Sequence, residues 1–279
     1  MTNLTEVNRK HFDKVASNHQ NDFGELINAT IAELKSRRSW ISPRLADGAS
    51  NSDLDIGVGD EVRLLDYACG SGTVSKALAP YATQTIGLDL SANMVSEYNN
   101  AAREIFGAHE PAAVRMEGFQ HDLLGSSDTS GSANTAAGAD NSPLPSGTLD
   151  PFDIIVVGMA LHHVADPGRL LKRFSELLKP GGVCIVLDMV PGSAGLGDDG
   201  CGSHSDLRDG LGQGKEAEEG GVFDTIGKHG FTEAEMRDLY EESGMWRGFE
   251  YVVLEERFRF TLFGRQCSSL GFIARGEKV

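Results

Sequence analysis

Two hydrophobic periods alternate along this chain. Short apolar runs of strand length recur at 62–65, 84–88, 114–118, 152–158 and 183–187. Each is short enough to read as a strand rather than a helix. Between them lie stretches with apolar residues at helical spacing. One runs from Val74 to Tyr81, one from Met94 to Phe106, and one carries Leu170, Leu171, Phe174, Leu177 and Leu178 on a single stripe. Ser91 can cap the second, and Asp166-Pro167 opens the third with Pro at the favoured first position. Lys179-Pro180-Gly181-Gly182 ends that helix. Val7 to Trp40 reads as two more helices, with Leu26, Ile27, Ile31 and Leu34 on one face. Near the C-terminus Thr232 and Glu235 form a capping box, and Ser243-Gly244 stops the helix that follows. The last two runs, 249–254 and 268–274, read as the last two strands. The pattern predicts an α/β fold: a Rossmann-like, seven-stranded, mostly parallel sheet with helices on both faces and a C-terminal antiparallel hairpin.

The 279 residues suffice for one large domain with a sizeable core. Within it we expect an N-terminal helical lid over 1–45, a ligand-binding core over 62–190 and a C-terminal helix with hairpin over 231–279. Residues 125–149 are built largely from small and polar residues and predict a disordered insertion. The glycine-rich segment 192–230 predicts a flexible loop on the acceptor side of a site. The formal net charge of −16 repels phosphates and anionic lipid, which disfavours nucleic-acid and membrane partners. No apolar run reaches the roughly 18–20 residues of a membrane span, and 1–10 has no signal-peptide core. A cytoplasmic protein is the resulting expectation. The four cysteines are scattered and show no metal spacing, so no metal site is expected. The oligomeric state is not legible.

The chemistry concentrates where the first strand ends. Leu64-Leu65-Asp66-Tyr67-Ala68-Cys69-Gly70-Ser71-Gly72-Thr73 reads as strand, glycine turn and helix start. Gly70 and Gly72 let the backbone approach a ligand, and the helix start presents free N–H groups. The next strand ends at Asp89, where a carboxylate can take both hydroxyls of a ribose. A dinucleotide fingerprint would need a third glycine, but Ser75 stands there, and Asp66 would repel a pyrophosphate. The same carboxylate suits a ligand carrying an ammonium and a sulfonium. The segment resembles motif I of the class I S-adenosylmethionine (SAM)-dependent methyltransferases, with Ala68 where that pattern has its first glycine. Later segments resemble the same family in order: 87–94, 120–123, 152–164 and 178–188. The 12–19 segment is similar to the entry segment of the ubiquinone/menaquinone-type branch, with His19 in place of its usual Tyr. The resemblance implies a SAM cofactor, with Asp89 on the ribose, Leu90 and Met94 flanking the adenine, and Asp122 on the adenine amino group. It extends the expected cofactor set to Asp66, Ala68, Gly70, Gly72, Leu123, Gly158 and His19.

Methyl transfer requires alignment of nucleophile, methyl and leaving group, and a base only when the nucleophile arrives protonated. His162 and His163 follow the fourth strand at the ligand edge of the sheet, and their order after Leu161 resembles the family's L-H-H element. His163 is the favoured base, with His162 and then His229 as the other candidates. Asp188 ends the fifth strand at the same edge, where it can orient a histidine or bind an acceptor amine. Phe12, Phe23, Met159, Met189, Phe223 and Phe231 suit an aromatic or lipophilic acceptor. The reading is a methyltransferase acting on oxygen, sulfur, nitrogen or carbon of a small organic molecule. Its alternatives are a catalytically weak or inactive partner or regulatory protein of the same fold, a nicotinamide-dependent reductase, and a protein or nucleic-acid methyltransferase.

Overall fold

The computed structural model describes residues 3–46, 61–107, 115–125, 144–196, 221–262 and 264–279. Five strands form a parallel sheet: β1 (Arg63–Tyr67), β2 (Gln84–Asp89), β3 (Met116–Gln120), β4 (Phe152–Gly158) and β5 (Leu178–Met189). Their order across the sheet is β3-β2-β1-β4-β5. The chain thus reverses direction across the sheet between β1 and β4, the switch point where α/β folds bind ligands. β8 (Arg265–Glu277) runs antiparallel beside β5. β7 (Arg247–Leu262) pairs with β8 as a long hairpin, and the two-residue β6 (Gly195–Leu196) pairs with the other end of β8. The sequence predicts seven strands; β6 is the eighth. The hairpin is also longer than its apolar runs, because backbone pairing continues into Arg257–Leu262, where Phe258 and Phe260 alternate with polar residues and still reach the core.

Among the described residues seven α-helices cover the sheet: α1 (Leu4–Val15), α2 (His19–Ser36), α3 (Arg38–Ile41), α4 (Thr73–Leu78), α5 (Ala92–Phe106), α6 (Pro167–Leu177) and α7 (Glu233–Glu242). Their ends follow the sequence signals. The Ser91 hydroxyl accepts from the Met94 N–H, the Asp166 carboxylate from the Arg169 N–H, and Thr232 and Glu235 close a capping box. On α6 the stripe Leu170, Leu171, Phe174 and Leu177 is buried against β4 and β5. At about 1.5–3 kcal/mol per large apolar side chain, that burial holds the helix far more strongly than its caps. The other face of the sheet packs Leu64, Ile154, Val156 and Ile185 against Leu26, Leu34 and Ile41 of α2 and α3.

α5 sits unusually close to the sheet. A Cβ on Gly87 would lie 2.5 Å from the Tyr98 ring, and one on Gly118 2.7 Å from it. The two missing side chains on β2 and β3 make the slot for that ring. Its hydroxyl lies 2.7 Å from Ser75 Oγ at the head of α4, and so reaches the glycine turn. No helix among the described residues is long and apolar enough to cross a membrane. Most of the predicted 125–149 insertion, and 197–220 of the predicted acceptor-side loop, lie outside the described residues.

Candidate functional site

A cavity of about 760 Å³ opens at the carboxyl ends of β1, β2, β4 and β5. Its floor is the turn after β1. Ala68, Gly70 and Gly72 all have positive φ, at 53°, 49° and 86°, which folds the chain back on itself within five residues. Only glycine adopts this region freely; Ala68 holds it against the contact of its Cβ with the backbone. A Cβ added to Gly70 would meet nothing within 4 Å, so open space lies directly above that residue.

Three carboxylates stand around the turn. Asp89 accepts the Gly70 N–H on one oxygen and the Ser91 N–H on the other, both at 2.9 Å. It ties the glycine turn to the end of β2, and burial raises its pKa to about 6. Asp66 accepts the Ser75 hydroxyl at 2.7 Å and the Ser75 N–H at 3.1 Å. Burial raises it to about 8, against those two hydrogen bonds. Asp122 accepts the Leu124 N–H at 2.8 Å. Asp66 takes both Ser75 bonds on Oδ2, which leaves Oδ1 for a ligand, whereas each Asp89 oxygen keeps a second lone pair for one.

Opposite the carboxylates lies the turn after β4. Met159 is another non-glycine residue with positive φ, at 56°, and it sends the chain sharply into the helical turn Leu161–His163. His162 is buried, and its Nδ1 lies 2.8 Å from Asp188 Oδ1 at the end of β5. The other Asp188 oxygen accepts the His162 backbone N–H at 3.1 Å. His163 Nδ1 lies 2.9 Å from the Thr225 carbonyl. The two rings are 4.0 Å apart between centroids. Burial, reinforced by the neighbouring His162, pushes the His163 pKa well below the usual imidazole range. His229 also lines the cavity and is lowered by burial.

The remaining walls come from α1, α2 and the tip of the hairpin. His19 stacks on Phe23 with centroids 4.9 Å apart, and Phe23 stacks on Phe260. Burial takes the His19 pKa down to about 4. Four cavity-lining side chains carry buried polar atoms without hydrogen-bond partners: Asn8 Oδ1, His19 Nδ1, Thr30 Oγ1 and Ser71 Oγ. Unsatisfied buried polar atoms are uncommon in folded proteins, and a group on the cavity side would satisfy them.

The structure brings Asp66, Ala68, Gly70, Asp89, Leu90, Met94, Asp122, Gly158, His19, His162, His163 and His229 to this one cavity. Gly72 and Leu123 are not on its wall. Gly72 is the N-cap of α4, and a Cβ there would meet Tyr98 at 3.4 Å; its work is to start the helix. Leu123 is 2% exposed in the main core, and Leu124 takes the wall position. Phe231 is likewise a core residue rather than a cavity one. Sequence reasoning missed Asn8, Thr30, Phe260 and Leu262. Asn8 is the one buried residue of α1, and only a polar position on its inward face could have signalled it. The hairpin tip carried no signal. Among the described residues no cluster of His, Cys, Asp and Glu is arranged for a metal ion.

A family model described as a methyltransferase domain matches residues 18–245. An uncharacterized methyltransferase of Schizosaccharomyces pombe is 33% identical over 129 residues, 46% of this chain and 39% of that protein. A ubiquinone biosynthesis O-methyltransferase of Psychrobacter arcticus is 26% identical over 186 residues, 63% of this chain and 60% of that one. The chain thus spans less than two thirds of the length of these relatives. Among solved structures, a SAM-dependent methyltransferase from Anabaena variabilis superposes with a TM-score of 0.58 at 16% identity, covering 100% of this chain and 96% of its own. Magnesium protoporphyrin IX methyltransferase from Synechocystis with bound SAM gives a TM-score of 0.52 at 14% identity, covering 100% and 99%. At these identities the superpositions speak to the fold.

Proposed function

Because the chain belongs to the methyltransferase-domain family, we propose that it transfers a methyl group from SAM to a small organic acceptor by in-line substitution. The observation that carries this reading is the bond between Asp89 and Gly70 across the cavity floor. It sets a carboxylate with spare lone pairs beside a glycine turn with open space above it, as a ribose and its attached chain require. The residues fit SAM in further respects. Asp89 would hold the ribose, Leu90 and Met94 the adenine faces, and Asp122 its amino group. Asp66, Ser71 and His19 border the part of the cavity left for the methionine portion. When bound, SAM supplies a methyl group on sulfur whose leaving group is already charged, so the protein has no leaving group to activate.

What the chain itself must do is align and exclude water. The acceptor side is walled by Phe12, Phe23, Met159, Met189 and Phe223, with few charges. Such walls favour an uncharged aromatic or lipophilic acceptor. Calorimetric titration with S-adenosylhomocysteine, with NADH as control, tests the reading. Saturable binding of the first and none of the second is expected. Asp89→Ala should weaken that binding through loss of charge-assisted hydrogen bonds of about 1.5–3 kcal/mol each. Unchanged affinity in a folded variant, or preference for NADH, would overturn the assignment.

A further inference from the structure

We propose that Asp188 and His162 form a base dyad that removes a proton from the acceptor, so that the reacting atom is a hydroxyl or thiol that enters the site protonated. The inference rests on the methyl-transfer reading above. It begins from hydrogen-bond direction. A carboxylate oxygen only accepts, so the 2.8 Å contact with Asp188 places the proton of a neutral His162 ring on Nδ1. The lone pair is then on Nε2, which has no hydrogen-bond partner among the described residues. His162 lines the cavity, and Nε2 is the nitrogen left for it.

Asp188 is placed to orient the ring. It is 0% exposed, and its two oxygens hold His162 by ring and by backbone while one also accepts the Met189 N–H. Ring rotation would break the contact with a fully buried carboxylate. An imidazolium formed at His162 would lie directly against that negative charge, the arrangement that supports a histidine base in hydrolase triads. His163 shares the tautomer but not the countercharge. Its Nδ1 faces a neutral carbonyl, and its desolvated ring stays neutral. The two adjacent rings therefore divide the work: His162 takes the proton, and His163 offers an uncharged acceptor beside it.

The step balances as follows. The acceptor's X–H proton passes to His162 Nε2, and the pair left on X forms the new bond to the methyl carbon. The C–S bond breaks with its pair on sulfur, which becomes a neutral thioether. The imidazolium, paired with Asp188, then returns its proton to water. The groups facing His162 are Asp188 from β5, His163 in the same turn and His229 from the segment before α7. His11 and His19 face His163 from α1 and α2. Among the described residues no lysine or arginine side chain is paired with Asp188, so the histidine carries the charge balance.

Three measurements on the full chain test this. S-adenosylhomocysteine titration comes first: if the wild type does not bind it, the methyl-transfer reading fails and the dyad with it. If it binds, His162→Gln and Asp188→Asn should bind it within about threefold of wild type. Nitrogen-15 NMR of labelled histidine then reads the tautomer without any acceptor. His162 should be protonated on Nδ1 at neutral pH, and Asp188→Asn should shift it toward Nε2. A wild-type ring protonated on Nε2 overturns the dyad alone. Last, a phenol, an alkanethiol and an aniline of matched size are offered with labelled SAM. Methylation of the phenol or the thiol is expected, and His162→Gln should lower kcat on the order of 10²-fold with little change in KM. That deficit should shrink as pH approaches the acceptor's own pKa. Equal turnover by His162→Gln, a deficit constant with pH, or methylation of the aniline alone would overturn the proposal. Where none of the three acceptors is turned over, the NMR result decides.

Discussion

Ala68 is the residue at which this site departs most from what a glycine turn wants. Its φ of 53° places a Cβ in the left-handed region, at a cost of roughly 1–2 kcal/mol. A glycine there would relieve that cost and add about 0.5–1 kcal/mol of unfolded-state entropy. Ala68→Gly should therefore stabilise the protein by about 0.5–1 kcal/mol and bind S-adenosylhomocysteine at least as tightly. Denaturant unfolding and calorimetry check this together; a less stable variant would mean that the Ala68 methyl makes packing contacts worth more than the strain. At this scale the sequence identified residues by motif position, which works where position and side-chain direction coincide. Asp66 and Asp89 end strands, so their carboxylates emerge at the ligand edge whatever the details. Gly72 and Leu123 fail because spacing does not say which way a residue faces. One is turned toward Tyr98 by the start of α4, and the other is exchanged with Leu124 in a tight turn. His162 and His163 show the same limit. Their order names the turn, but only the end of β5 reveals which ring has a carboxylate behind it.

Among the elements, α1 stands apart in how it is held. α2 is embedded through Leu26, Ile27 and Leu34, whereas the only buried residue of α1 is Asn8. Polar contacts fasten it instead. The Asp13 carboxylate accepts the Ser91 hydroxyl at 2.6 Å and the Asn93 N–H at 3.3 Å, and the Asp13 carbonyl accepts from the Asn93 side chain at 2.9 Å. Asn8 donates to the His163 carbonyl at 2.9 Å. These bonds run from α1 to the two turns that carry Asp89 and the histidines. A helix attached by polar contacts over a cavity can open without exposing core, as a lid must. Asp13→Ala should leave global stability nearly unchanged while speeding amide exchange in 4–15 by about tenfold, the equivalent of one charge-assisted hydrogen bond. Exchange in α2 should not change. Equal acceleration in both helices would show that they open as one unit. The sequence reveals the helices of this region through their periodicity, but not this division, because the latch residues Asp13, Ser91 and Asn93 come together only when the fold is complete.

For the whole molecule, the burial of opposite ionisable types around one cavity sets a pH dependence whose sign can be worked out. Asp66 and Asp89 have folded pKa values raised to about 8 and about 6. A raised carboxylate keeps its proton in the folded state after the unfolded chain has lost it, so each contributes stability that is lost as pH rises toward its folded value. His19 and His163 are lowered, the first to about 4 and the second well below its usual range. A lowered histidine contributes stability that is present above about pH 6.5 and lost as pH falls. The two effects oppose each other on the acid side. Between about pH 7 and 8 the histidines are mostly neutral in both states, and Asp66 is the main one of these four that still differs. Stability of the ligand-free protein should therefore fall across that interval, by at most about 1.4 kcal/mol per pH unit, the limit for one proton. Asp66→Asn should flatten it, because an amide has no proton to lose. Denaturant titrations at several pH values distinguish the cases. A wild-type stability that is level or rises over this interval would mean that Asp66 is ionised in the folded protein, held so by its two bonds from Ser75 despite full burial.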